Sequence, residues 1–255
     1  MYPNPLKQKI RDGQLVLGTS LPAHDNGITS ALAPCSADFI WIDQEHSAYG
    51  PADLGMIPIL LRQQAKAPVV RVPWNDPAQI KKAYDAGAVG VMVPQVDNVA
   101  AVKQAIKYAK YPPLGERGIS PYWVGPAQED YINVIKTAND ETVLILQMES
   151  QEHYEQVDEI LAIDGFDVLF VGPMDLSASL GVTGDVQNPK VQKIIEEMPR
   201  RAEGSGKIMG TILFSPDEVR QKIDWGYRFL IFGNPIQFGV EFVNEQFADF
   251  RKQAK

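Results

Sequence analysis

Two carboxylates at the ends of neighbouring apolar segments are the residues of this sequence best placed to do chemistry. Glu149 closes the apolar run Val143–Met148, and Asp175 follows the run Phe166–Gly172. Buried parallel strands are continuous apolar runs, and α/β enzymes keep their catalytic groups at the carboxyl ends of such strands. Two carboxylates that leave neighbouring strands at the same end can share one hard divalent cation. The alternative, from this stretch alone, is a helix-capping Asp175 and a solvated Glu149.

A second set of chemically able residues follows two earlier apolar runs. Asp43, Glu45 and His46 come at the end of the run DFIWI. A histidine with carboxylates one and three positions away suits a proton shuttle near neutral pH, although a solvated turn explains the same pattern. Arg71 directly follows the apolar Pro68–Val70. A buried guanidinium needs an anionic partner, which is either a substrate oxygen or one of the carboxylates just named.

The elements that must position these residues alternate between short apolar segments and helical patterns. Eight such repeats predict a parallel sheet closed as a (β/α)8 TIM barrel in the α/β class. An open doubly wound sheet is the alternative, but no GxGxxG follows the first segment. The predicted strands are Leu15–Thr19, Asp38–Asp43, Pro68–Val72, Val89–Pro94, Val143–Met148, Phe166–Gly172, Lys207–Leu213 and Arg228–Gly233.

Helix-start signals, such as Asp or Ser before Pro, mark several of the segments between the strands. The helices predicted from them include Asp76–Ala86, Val99–Lys110, Gln151–Ala162, Pro189–Glu203 and Pro216–Trp225. His153 lies in one of these helices, where we expect it at the surface. The connection from Tyr111 to Gln128 is rich in Pro, Gly and aromatic residues. Long ordered loops of this kind are usually functional.

Composition limits the class of protein. The chain has 255 residues, 45% of them hydrophobic, and we expect one domain over residues 1–255. Lys and Arg number 24 against 32 Asp and Glu, and no basic run suggests binding to nucleic acid. No apolar run approaches the roughly 18 residues of a membrane span, and no signal-peptide pattern opens the chain. The single cysteine, Cys35, predicts a reducing compartment, the cytoplasm.

Five stretches together carry a family resemblance. They are IDQEH at 42–46, PVVRVPWNDPAQIKKAYDAGA at 68–88, YPPLGERG at 111–118, LQMES at 146–150 and FVGPMDLSASLG at 170–181. The chain resembles the HpcH/HpaI aldolase family, the metal-dependent class II pyruvate aldolases, over nearly its whole length. Some relatives, such as macrophomate synthase, use the same core for decarboxylation with onward carbon–carbon bond formation.

The resemblance implies a role for each matching residue. Glu149 and Asp175 would ligate Mg²⁺, Mn²⁺ or Co²⁺, and pyruvate would chelate that metal. Gln147 and the backbone around Met174 would contact the substrate, and Arg71 would steady the enolate oxygen. His46, paired with Asp43, would be the acid and base. Asp85 would assist from a neighbouring subunit.

The resemblance also implies an activity. We expect reversible cleavage of a 4-hydroxy-2-oxo acid to pyruvate and an aldehyde through a metal-stabilised enolate. An oxaloacetate decarboxylase or decarboxylative synthase on the same site is the alternative, and a non-catalytic metal-binding barrel is the third. No lysine falls at a strand end on the rim, so a Schiff base is not expected.

Two further expectations concern specificity and assembly. The match to the family weakens between Ile119 and Gln128, so we expect Tyr122 and Trp123 to shape the pocket for the aldehyde. The segment Phe238–Phe250 carries aromatic residues at largely helical spacing. Such a stripe is typical of ordinary barrel packing, but in the family the last helix is exchanged between subunits. The resemblance therefore implies a homohexamer, a trimer of dimers, that takes small molecules and neither nucleic acid nor membrane.

Overall fold

The computed structural model of the chain describes residues 3–253. Its strands are β1 Val16–Ser20, β2 Phe39–Asp43, β3 Ala67–Arg71, β4 Gly90–Val93, β5 Val143–Met148, β6 Val168–Val171, β7 Ile208–Leu213 and β8 Phe229–Phe232. All pairings are parallel and follow chain order, and β8 pairs with β1. The predicted (β/α)8 barrel is therefore confirmed, and the strand limits differ from the predicted ones by at most two residues.

Helices connect the strands on the outside of the barrel. They are α1 Pro5–Arg11, α2 Asn26–Leu32, α3 Ile57–Gln63, α4 Pro77–Asp85, α5 Val99–Ala109, α6 Val124–Ala127, α7 Tyr131–Glu141, α8 Gln151–Glu155, α9 Val157–Leu161, α10 Pro173–Ser179, α11 Pro189–Arg201, α12 Pro216–Trp225 and α13 Pro235–Gln253. A 3₁₀ turn covers Pro51–Leu54. Side-chain caps at Asp76 and Ser215 begin α4 and α12, as the sequence signals indicated.

The helix predicted over Gln151–Ala162 is two helices instead, α8 and α9, which meet at Gln156. The backbone of Gln156 leaves the helical conformation, and its side-chain oxygen accepts from the Val99 amide at 3.1 Å. This tertiary contact has no sequence signal, because it joins residues far apart in the chain.

The pairing of the strands brings their polar ends to one rim. Asp43, the last residue of β2, is in register with Arg71, the last residue of β3. Met148 at the end of β5 likewise pairs with Val171 at the end of β6. The residues that follow these positions therefore leave the barrel at the same carboxyl-terminal mouth.

The interior of the barrel is filled by apolar side chains. Phe39 stacks on Phe229, with ring centroids 4.3 Å apart, and Gly18 leaves the space that the Phe39 ring occupies. At the amino-terminal end Leu6 and Ile10 of α1 join this cluster and are almost fully buried. Helix α1 therefore closes the amino-terminal end of the barrel. The polar composition of this segment did not predict that role.

The C-terminal helix α13 contacts its own barrel through its first turn, where the ring centroid of Phe238 lies 4.7 Å from that of Phe232. None of its residues is buried, and its exposed apolar side chains are Ile236, Val240, Phe242, Val243, Phe247 and Phe250. An apolar groove of about 490 Å³ lies open on the flank between α2 and α12, lined by residues that include Leu17, Cys35, Phe232 and Phe238. Among residues 3–253, no helix combines the length and apolar character that crossing a membrane requires.

Candidate active site at the carboxyl-terminal mouth

Arg71 lies at the centre of the polar cluster in the barrel mouth. Its Nε donates to Asp43 Oδ1 at 2.8 Å and its Nη2 donates to Asp43 Oδ2 at 2.7 Å, a two-pronged contact that fixes the plane of the guanidinium. The guanidinium also lies 4.6 Å from the ring centroid of Trp41. Asp43 and Glu45 are therefore the carboxylate partners of Arg71, and its contact with a substrate oxygen stays a prediction.

The remaining side of Arg71 faces the other polar groups of the mouth. Nη1 lies 2.9 Å from Glu45 Oε2 and 3.5 Å from Gln147 Oε1. Burial by itself raises the pKa of Asp43, but the hydrogen bonds and charge of Arg71 outweigh it and hold that pKa below its usual range. Asp43 is therefore an ionised anchor for Arg71.

Glu149 is a buried carboxylate held in one orientation by two donors. Its Oε1 accepts from the Gln95 backbone amide at 2.6 Å, and its Oε2 accepts from the side-chain amide of Gln147. Burial raises the pKa of Glu149 to about 7, the charges of Glu45 and Asp175 add to this rise, and the two donors oppose it. A nearby cation would stabilise the ionised form of this carboxylate and lower its pKa.

Glu45 belongs to the same electrostatic cluster, although the sequence pointed to it only as part of DxEH. Burial raises its pKa to about 7, and the charges of Asp43 and Asp175 act in the same direction. Arg71 and a hydrogen bond from the Gln95 side chain oppose the rise. The sequence signal for Gln95 was its position directly after the fourth predicted strand.

Gly172 lets the segment carrying Asp175 approach Glu149 closely. A Cβ built at Gly172 would lie 3.1 Å from Glu149 Oε2 and 3.2 Å from Gln147 Nε2, tighter than ordinary contacts. Helix α10 begins directly after this glycine and carries Met174 and Asp175 in its exposed first turn. The charge of Asp175 acts on Glu149, so the two predicted ligands lie on the same side of the mouth, and their role as metal ligands stays a prediction.

His46 stands at the mouth but its ring is not paired with Asp43, contrary to the expectation. The ring is 60% exposed, and its Nε2 lies 3.8 Å from Glu45 Oε2. Asp43 accepts instead from backbone amides, at 3.0 Å from Glu45 and 3.5 Å from His46. The reason is that Arg71 occupies the two carboxylate oxygens of Asp43, so that Glu45 becomes the neighbour of the imidazole.

Asp85 is not brought to the mouth of its own barrel. It is the last residue of α4, at the point where the chain turns back towards the start of β4, and this is the opposite end of the barrel. Its Oδ1 is buried, and no group in the described part of the chain hydrogen-bonds to it. Burial raises the pKa of Asp85 to about 6, and the charges of Arg117 and Lys81 oppose this rise. Any contact with a mouth would have to be with that of another subunit.

Trp123 and His153 are both buried, and the expectation of a surface position for His153 was wrong. Trp123 is buried among Ile59, Val124 and Val134 on the outside of the barrel, so it does not line the mouth of its own chain. Tyr122, which is 76% exposed, lies on the surface of that loop together with Ile119. His153 is fully buried rather than exposed, and its Nδ1 lies 2.6 Å from the Val96 carbonyl oxygen.

Comparison with known proteins decides which family shares this arrangement. The sequence profile of the HpcH/HpaI aldolase/citrate lyase family matches residues 18–237, which is most of the chain. The chain belongs to the HpcH/HpaI family. The resemblance drawn from the five sequence stretches is thereby confirmed, and so is the predicted activity class, an aldolase that cleaves carbon–carbon bonds.

Individual members of the HpcH/HpaI family show how far the similarity extends. The 2-keto-3-deoxy-L-rhamnonate aldolase of Escherichia coli (strain K12) is 32% identical over 249 residues, covering 97% of this chain and 93% of that protein. An HpcH/HpaI family protein from Burkholderia cenocepacia J2315 superposes with a TM-score of 0.89 at 28% identity, covering 97% and 99% of the two chains. Macrophomate synthase superposes with a TM-score of 0.84 at 26% identity, covering 100% and 92%.

Proposed function

We propose that this enzyme reversibly cleaves a 4-hydroxy-2-oxo acid to pyruvate and an aldehyde, with a divalent metal ion as cofactor. The observation that carries the proposal is the composition of the mouth. One buried arginine, Arg71, contacts the carboxylates of Asp43 and Glu45, and the charges of Glu45, Glu149 and Asp175 act on one another. A divalent cation would offset the surplus of negative charge at this mouth and allow an anionic substrate to bind there.

Glu149 and Asp175 fit a hard divalent cation by the chemistry of their oxygens. Within residues 3–253, no three or more His, Cys, Asp or Glu side chains are arranged to hold a metal. The protein would therefore supply two carboxylates and leave the other positions to substrate oxygens and water, which is how Mg²⁺ is usually bound. When bound, Mg²⁺, Mn²⁺ or Co²⁺ would act as a Lewis acid that stabilises negative charge on the keto oxygen of pyruvate.

Arg71 and Gln147 would bind and orient the 2-oxo acid. Arg71 is held rigidly by Asp43 and Trp41, and its Nη1 faces Gln147 across 3.5 Å. Donors fixed in advance stabilise developing negative charge without reorganising, which suits an enolate oxygen. Met174, exposed in the first turn of α10, would contact the substrate from the side of Asp175.

His46 would carry the proton to and from C3 of pyruvate or from the hydroxyl of the cleaved acid. Its Nε2 lies 3.8 Å from Glu45, so Glu45 orients the imidazole and Asp43 acts through Arg71. A histidine near a carboxylate works as acid and base close to neutral pH.

The single cysteine, Cys35, is consistent with an enzyme that works in the reducing cytoplasm.

Pyruvate exchange tests this proposal directly. Proton NMR in D₂O follows the methyl signal of pyruvate with the enzyme and Mg²⁺, and we expect the signal to disappear with Mg²⁺ and to persist with EDTA. The first substrate to assay for cleavage is 2-keto-3-deoxy-L-rhamnonate, the compound in the name of the E. coli relative. The proposal is refuted when the enzyme shows no exchange and no cleavage with any of the three metals.

Oxaloacetate decarboxylation is the second candidate, supported only by the likeness to macrophomate synthase. It would use the same Arg71 and carboxylates, since loss of carbon dioxide from oxaloacetate leaves the same pyruvate enolate. Comparing kcat/KM for oxaloacetate with kcat/KM for the 2-keto-3-deoxy acid separates the two reactions.

We further propose that α13 packs into the open groove of a second copy of this chain, within a hexamer built as a trimer of dimers. Six exposed apolar side chains on one helix are more than scattered surface residues, and the groove on the barrel flank is apolar and uncovered. In such an assembly Asp85 could reach a neighbour's mouth. Sedimentation velocity tests the assembly: F242D combined with F247D should give smaller species than E245Q, an exposed change on the same helix. A wild-type monomer would refute it.

A further inference from the structure

We propose that His153 is a positioning residue for Glu149, which it serves by holding the turn at Gln95 that presents a backbone amide to that carboxylate. His153 lies four residues after Glu149, and its ring bonds to the Val96 carbonyl in the turn after β4. The inference rests on the proposed role of Glu149 as a metal ligand, and it assigns a task to a histidine that the proposed reaction does not use.

The hydrogen bond made by His153 identifies its tautomer. Its Nδ1 lies 2.6 Å from the Val96 carbonyl oxygen. A carbonyl oxygen only accepts, so Nδ1 carries the proton and donates it. The other ring nitrogen, Nε2, is buried and has no hydrogen-bond partner within residues 3–253, and burial lowers the pKa of His153 to about 4. The imidazole is therefore neutral at neutral pH, and the donor to Val96 is permanently in place.

The turn that receives this bond has an uncommon backbone conformation. Gln95 has φ = 53°, in the left-handed region that residues with a Cβ seldom adopt. Such conformations persist where the surrounding structure holds them. The next residue, Val96, is fully buried, so its carbonyl needs an internal donor, and His153 supplies it.

The conformation of Gln95 is what connects the turn to the acidic cluster. Its backbone amide donates to Glu149 Oε1 at 2.6 Å, and its side chain bonds Glu45. The segment that follows Glu149 is tied to the same place, because Ser150 Oγ accepts from the His153 amide at 3.1 Å. Two cross-links, Gln95 to Glu149 and His153 to Val96, therefore clamp the end of β5 against the end of β4.

Two substitutions separate the donor of His153 from its volume. In His153→Asn the amide nitrogen stands as many bonds from Cα as Nδ1 does, so it can still donate to Val96, but the ring is lost. In His153→Leu an apolar side chain fills much of the space, but the Val96 carbonyl loses its donor. The measurement is the Kd for Mn²⁺ of the folded, purified enzymes by isothermal titration calorimetry, with kcat and KM as a second readout.

Groups that orient a metal ligand from behind typically contribute about 10–100-fold to metal affinity. We expect His153→Leu to weaken Mn²⁺ binding by about tenfold, and His153→Asn to stay close to wild type. Equal affinities in wild type and His153→Leu would overturn the inference. Equal weakening in His153→Leu and His153→Asn would overturn it as well, since that result would assign the effect to the lost ring and not to the donor. Wild-type enzyme that binds no Mn²⁺ would instead overturn the proposed function. Thermal unfolding of each variant shows that the affinities belong to folded protein.

Discussion

His153 should make the protein lose stability as the pH falls below neutral. Burial lowers its pKa to about 4 in the folded chain, from the ordinary value of 6.5 that it regains on unfolding. Between these two values the unfolded chain binds more protons than the folded chain. The contribution of His153 to the free energy of unfolding is therefore fully present above about pH 6.5 and is lost as the pH falls towards about 4.

The size of the loss follows from the same two pKa values. A difference of one pH unit corresponds to about 1.36 kcal/mol, so the whole interval corresponds to about 3 kcal/mol. The part that falls between about pH 7 and about pH 5 is about 2 kcal/mol. This is a large share of the roughly 5–15 kcal/mol that stabilise a typical protein.

Urea unfolding at pH 7 and at pH 5, in EDTA, measures this contribution. His153→Asn keeps the donor to Val96 but cannot be protonated, so its loss between the two pH values should be smaller than that of wild type by about 2 kcal/mol. The overall stability of the variant is lower because of the missing ring, but only the difference between the two pH values is compared. His46→Asn, which removes a histidine whose ring is 60% exposed, is the matched control and should behave as wild type. Equal losses in wild type and His153→Asn would refute the reasoning.

Three further outcomes follow from the geometry of the mouth. His46→Asn should lower the exchange of pyruvate methyl protons by about 10²–10⁴-fold, measured by NMR, while Mg²⁺ still binds; undiminished exchange would assign the proton elsewhere. Gly172→Ala should weaken Mg²⁺ binding in calorimetry, because its Cβ would lie 3.1 Å from a Glu149 oxygen, whereas Gly125→Ala, where a Cβ meets nothing within 4 Å, should not. Arg71→Lys should lower kcat/KM by about 10²-fold, since lysine keeps the charge but loses the two-pronged contact with Asp43; an unchanged kcat/KM would show that charge alone suffices.

Local patterns were enough to predict the barrel and the rim. A buried parallel strand is a continuous apolar run, whereas a helix repeats its apolar residues about every 3.6 positions. The strand Val143–Met148 and the helices around it could therefore be predicted from the sequence. The polar residue after each run then had to lie at the carboxyl-terminal mouth. Asp43, Arg71, Gln147 and Glu149 were found this way because a closed parallel barrel sends every strand end to one side.

Partners of charged groups needed the tertiary structure. The sequence could not show which carboxylates contact Arg71, because that depends on the register that places Arg71 beside Asp43. The same contact moved the neighbour of His46 from Asp43 to Glu45. The raised pKa of Glu45 and of Glu149 likewise depends on burial and on charges from other strands.

Burial on the outside of the barrel was the other property that no local pattern carries. His153 lies on a helix and Trp123 lies in a loop, and both side chains are buried. Helix α13 carries an apolar stripe, yet none of its residues is buried. A periodic stripe shows which face of a helix is apolar, but whether that face meets its own barrel depends on where the chain folds back. Local sequence patterns thus determined the strands and the polar residues at the rim. The hydrogen bonds that orient Glu149 and the exposure of α13 depend on how distant segments of the chain pack together.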